Sequence, residues 1–83
     1  MEKMLKIKER TIVFREVEGK GWAIVVKEDG LLIDSYHHGF AHIHPDRRKI
    51  KYSELEDALE AVIAHIEKYG KIELEKLREE ICE

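Results

Sequence analysis

The stretch Trp22-Ala23-Ile24-Val25-Val26-Lys27-Glu28-Asp29-Gly30-Leu31-Leu32-Ile33-Asp34-Ser35-Tyr36 decides the fold. Its opening run is apolar and ends on Ile24, Val25 and Val26. β-Branched side chains suit a pleated surface, so this run predicts a strand buried on both faces or nearly so. Trp22 belongs to that core. Glu28-Asp29-Gly30 then places Asp-Gly between two apolar runs, which signals a hairpin. Leu31-Leu32-Ile33 opens the returning strand, which is expected to continue to about Tyr36.

Outward from this hairpin the pattern repeats. From Met4 to Phe14, Leu5 and Ile7 alternate with lysines and Ile12-Val13-Phe14 follow. Alternation of this kind marks a half-buried strand. A break near Thr11 would divide it into two. Glu18-Gly19-Lys20-Gly21 reads as a turn, because glycine supplies the positive φ of tight reversals. Beyond Gly39, Phe40 to His44 reads as another short strand, which Pro45 ends because it cannot donate to a ladder. Pro45 to Arg48 reads as a turn, and Lys49-Ile50-Lys51-Tyr52 as a brief closing strand. Consecutive strands with short connections predict an antiparallel meander, since parallel neighbours need long crossovers.

Ser53 opens a helix expected at about 54–69. Ser53-Glu54-Leu55-Glu56 has the form of a capping box. Leu55, Ala58, Leu59, Val62, Ile63 and Ile66 form one apolar stripe of helical period. Gly70 is the expected C-terminal cap. His65 lies off that stripe and is read as structural or exposed. Leu74, Leu77 and Ile81 mark a shorter helix over 72–82. Free helices in water need about 12–15 residues, so this one must dock on its own domain or on another chain. A homodimer contact is one such use.

The predicted architecture is therefore α+β over one domain, residues 1–83. An antiparallel meander of four to five strands, between about residues 4 and 52, carries helix 54–69 on one face and a short C-terminal helix. At 83 residues, 43% apolar, there is material for one modest core. Charged residues make up 40%, and there is no Asn or Gln. That composition suggests a thermophilic source, where ion-pair networks replace heat-labile amides. The single cysteine, Cys82, cannot close an internal disulfide. No apolar run reaches the ~20 residues that cross a membrane. The N-terminus lacks a signal-peptide core, so the expected location is cytoplasmic.

Net charge is −3, which disfavours bulk nucleic-acid affinity. The charge is unevenly spread. Residues 1–52 hold 11 Lys+Arg against 8 Asp+Glu, and residues 53–83 hold 4 against 10. A mildly basic half can still meet phosphate locally.

The chemistry concentrates in Asp34-Ser35-Tyr36-His37-His38-Gly39-Phe40-Ala41-His42-Ile43-His44-Pro45-Asp46-Arg47-Arg48-Lys49. Four of the five histidines fall within eight residues. On an extended strand His42 and His44 would share a side, about 7 Å apart from the ~3.3 Å rise per residue. Histidine titrates near neutrality and serves as base or acid in RNA cleavage. His42 and His44 are the catalytic candidates, with His38 as a third partner. Arg47 and Arg48 have the guanidinium fork that matches phosphate oxygens. Tyr36 or Phe40 could stack on a base, and Asp34 or Asp46 could fix a histidine tautomer. The expected reaction is metal-independent ribonuclease chemistry without a cofactor. The alternative is a non-catalytic domain that binds a metal ion or a protein partner. Its ligands would be His38, His42 and His44, holding Zn or Ni. The third reading is an exposed structural strand.

Tyr36, Gly39, His42 and His44, followed by Lys49 to Tyr52 and by Ser53-Glu54-Leu55-Glu56-Asp57-Ala58-Leu59, resemble the toxins of TumE-type toxin–antitoxin pairs. The resemblance covers about residues 22–69. It implies a growth-inhibiting toxin acting on RNA or another nucleic-acid process, neutralised by a helix-turn-helix antitoxin. The short N-terminal half and the added 72–82 segment depart from that pattern.

Overall fold

Strand β3 (Gly21–Val26) is the centre of the sheet, and its burial shows why. Trp22, Ile24 and Val26 are buried on the side that meets the helices, and Ala23 is buried on the other. The computed structural model describes residues 2–36 and 50–83, together with the backbone of 39–42. These form a sheet in the order β1 (Glu2–Ile7), β2 (Arg10–Val17), β3, β4 (Leu31–Asp34), β5 (Gly39–His42). Every neighbouring pair is antiparallel. The meander is thus five strands long among the described residues, and β5 is its edge.

The region read as one strand or two, 4–14, is two. Ile7 pairs with Arg10, leaving Lys8 and Glu9 as the turn. Lys8 adopts φ 54°, an uncommon conformation for a residue with a side chain. Its Nζ donates to the Glu67 carbonyl at 3.0 Å, which ties this turn to the end of the long helix. The Asp-Gly hairpin also differs in detail from the expected tight turn. Lys27–Asp29 forms a single 3₁₀ turn, and Gly30 closes it at φ 60°.

Helix α1 (Leu55–Tyr69) and helix α2 (Leu74–Ile81) lie on one side of the sheet. Ala58, Val62 and Ile66 of α1 and Leu77 and Ile81 of α2 join Ile12, Trp22, Ile24, Val26, Leu31 and Ile33 in one core. Each such aliphatic side chain contributes about 1.5–3 kcal/mol when fully buried. α2 is eight residues long, shorter than the expected 72–82, and docks on its own domain. Arg78 pairs with Glu75 one turn back.

Two local expectations are corrected. The capping box does not form: Glu54, not Ser53, is the N-cap of α1, and it makes no side-chain cap bond. The Ser53 carbonyl instead accepts the Trp22 indole N–H at 3.1 Å, so this residue serves the tryptophan rather than the helix. The closing strand 49–52 does not join the sheet through its described residues. Ile50 bridges Cys82 and the Lys51 N–H donates to the Ile81 carbonyl at 2.9 Å. That segment is captured by the end of α2 because Ile50, Ile81 and Cys82 bury apolar surface together. No helix among the described residues is long and apolar enough to cross a membrane.

Candidate functional site

The histidine segment follows the end of β4, and that end is fixed by a small clamp. The Ser35 N–H donates to the Trp22 carbonyl at 3.0 Å, continuing the β3–β4 ladder by one bond. The reciprocal Trp22 N–H donates to Ser35 Oγ at 2.9 Å. A regular ladder would use the Ser35 carbonyl there. The hydroxyl takes its place, so the backbone can turn while no amide is left unpaired. Gly21 makes room for this. Its φ is 141°, and a Cβ there would stand 2.0 Å from Ser35 Oγ.

β4 therefore ends at Asp34, and Ser35-Tyr36 form a turn rather than the strand expected to about Tyr36. Asp34 is 1% exposed, a desolvated carboxylate at the root of the segment, and it is engaged rather than orphaned. Tyr36 is half-buried. In register Asp34 stands opposite Gly39, and His42 stands opposite Leu31. The two positions thus fall in alternate rows of the pleat. The strand expected from Phe40 to His44 is described from Gly39 to His42. The side chain of His42 lies outside the described residues, as do His38, His44, Asp46, Arg47 and Arg48 in full. The triad proposed as metal ligands, His38, His42 and His44, lies outside them too. Among the described residues, no group of three or more His, Cys, Asp or Glu could hold a metal ion.

A second polar cluster lies at the opposite end of the hairpin. Arg10 Nε and Asp29 Oδ2 approach to 2.9 Å. The contact has the geometry of an ion pair rather than of an aligned hydrogen bond. Burial pushes the Asp29 carboxyl above its ordinary range, against the pull of Arg10. Glu28 behaves in the opposite way. It accepts the Thr11 backbone N–H at 2.6 Å and the Thr11 hydroxyl at 2.8 Å. These bonds hold its carboxyl below the ordinary value, the backbone bond most strongly.

His65, read as off the stripe, is buried and 2% exposed. Its Nε2 accepts the Glu73 backbone N–H at 2.9 Å. That bond fixes the tautomer, leaving the proton on Nδ1 to be donated to Glu80 Oε1 at 2.8 Å. The ring also packs on Tyr69, with centroids 4.7 Å apart. Both ring nitrogens are used, so this histidine joins α1 to both ends of α2. The spacing Ala58, Val62, His65, Tyr69 was the available signal, because steps of three and four residues keep one helix face. Ser35 and Gly21 carried no comparable signal: their partnership spans two strands.

No protein-family model matches the chain, and no curated protein or solved structure matches it either.

Proposed function

We propose that the chain is a toxin-like, metal-independent ribonuclease whose chemistry resides in the segment rooted by Asp34 and the Ser35 clamp. In this reading His42 and His44 act as base and acid, with His38 as a third partner. One imidazole takes the proton from a ribose 2′-OH as that oxygen attacks the adjacent phosphorus. The other protonates the leaving 5′-oxygen, and the products are a 2′,3′-cyclic phosphate and a 5′-hydroxyl. Arg47 and Arg48 neutralise the charge that grows on the phosphorane oxygens. Tyr36 stacks on a base. Asp34, buried where the segment begins, or Asp46 fixes a histidine tautomer. Such an enzyme works in the cytoplasm on cellular RNA and is restrained by a helix-turn-helix antitoxin.

The observation that carries this reading is the density of the segment: four histidines within eight residues, followed at once by Arg-Arg-Lys. A proton-transfer pair and a phosphate fork are the minimum set for this reaction. The test is RNA cleavage in the presence of a chelator, by the wild-type chain and by His42→Ala and His44→Ala. Each substitution is expected to lower the rate by about 10²–10⁴-fold, with the melting temperature nearly unchanged. Loss of folding in both variants would make these histidines structural. A melting temperature that EDTA lowers and Zn restores would favour the metal-binding alternative.

A further inference from the structure

The side of the sheet turned away from the helices carries an apolar row, beside the buried Ala23 and Asp34. Met4 pairs with Val13, Val13 with Val25, and Val25 with Leu32. These are directly opposed positions, so their side chains form one line across four strands on one face. None of the four belongs to the core or packs against it. Met4 is 67% exposed, and Val13, Val25 and Leu32 are half-buried. Solvent faces of antiparallel sheets ordinarily carry polar residues, and a contiguous apolar patch on such a face marks an interaction surface.

We propose that this face is the contact between two copies of this chain, stacked sheet on sheet about a two-fold axis that runs along the Met4–Leu32 row. The charges beside the row select a second copy as the occupant. On β1, Glu2 lies one alternate position to one side of Met4, and Lys6 one to the other. On β2 the order reverses: Arg15 lies beside Glu2, and Thr11 lies beside Lys6. Thr11 holds the carboxylate of Glu28. On β1 and β2 each flank of the row therefore carries both signs: Glu2 and Arg15, 4.0 Å apart, on one, and Lys6 and Glu28 on the other, with Lys27 of the next strand beside Val25 on that second flank. A two-fold along the row exchanges the flanks and leaves each strand over its own copy. Lys6 then faces Glu2 of the second copy, and Glu28 faces its Arg15. Met4, Val13, Val25 and Leu32 meet their own equivalents. Sheets packed in this way stand about 10 Å apart, within reach of these long side chains. A two-fold interface must be complementary to itself, and this face is so in hydrophobicity along the row and in charge at the β1 and β2 positions. α2, the other candidate for a contact between copies, is committed to its own core.

The test is sedimentation equilibrium over a concentration series from about 1 μM to 1 mM, with variants at exposed positions outside the core. The wild-type chain is expected to dimerise. Met4→Lys is expected to weaken the dimer by about tenfold or more. Lys6→Glu sets two carboxylates against each other twice per dimer and is expected to weaken it by about tenfold. Adding Glu2→Lys to Lys6→Glu restores opposite signs and is expected to recover most of the loss. A chain that stays monomeric throughout overturns the proposal. So does a dimer that Met4→Lys leaves intact, which would use another surface. A double variant no tighter than Lys6→Glu overturns the two-fold arrangement.

Discussion

Two residues show how much a single side chain can hold in a domain of this size. His65 satisfies one backbone amide and one carboxylate from inside the helix pair. Replacing it by alanine leaves the Glu73 N–H without its acceptor and opens space beside Tyr69. An unpaired buried donor alone costs about 1–3 kcal/mol, so His65→Ala is expected to destabilise by at least that much in a urea titration. Gly21 acts through room rather than bonds. Gly21→Ala would drive a methyl into Ser35 Oγ at a φ that a side chain rarely adopts. The expected loss is about 1–3 kcal/mol. Adding Ser35→Ala should recover part of it, because the clash is with the hydroxyl. Equal losses in the single and double variants would show that strain alone is responsible.

At the scale of elements, the strands and α1 were readable because their periods are local. Alternation located β1 and β2, apolar runs about an Asp-Gly turn located β3 and β4, and the apolar stripe located α1, as far as its cap at Gly70. What local period could not supply was competition between partners. Ser53 has the right neighbours for a capping box, yet its carbonyl goes to Trp22, 31 positions away. Ile50 alternates like a strand, yet it pairs with Cys82 rather than with the sheet. The same limit applies to the candidate site. Alternation orders residues on a strand, but gathering rings from a turn depends on tertiary contacts that no spacing encodes. Gly70 offers a contrast with Gly21. Its φ is 76°, but nothing lies within 4 Å of an added Cβ. Gly70→Ala is therefore expected to cost only the left-handed conformation, about 1–2 kcal/mol.

The hairpin turn has its own pH signature. Glu28 is held below its ordinary value of 4.5 by Thr11. Its contribution is present above that value and is lost as pH falls through the lower, folded one. Asp29 has the opposite sign. Burial raises it above 3.8, so its contribution is present in acid and is lost as pH rises through the folded value. Glu28→Gln keeps one acceptor and loses the charge. The variant is expected to be less stable than wild type at neutral pH, with the gap narrowing as pH falls below 4.5. Thermal melts on both sides of that value check this, and a gap that widens in acid would contradict it.

For the whole molecule, the division of labour follows the sheet. One side buries the core against both helices and the other presents the apolar row, while β4 and β5 lie at one end of the strand order. The proposed dimer contact and the proposed chemistry use different residues, so each can be tested separately. Met4→Lys is expected to change association without changing the cleavage rate of a single chain. His42→Ala is expected to do the reverse. The measurement that bears most directly on the proposed chemistry is the identity of the new ends after RNA is incubated with the chain and excess EDTA. The prediction is 2′,3′-cyclic phosphate and 5′-hydroxyl termini, with no cleavage of a substrate carrying 2′-deoxyribose at the scissile position. Intact RNA, or 5′-phosphate ends that form only when metal is supplied, would contradict it.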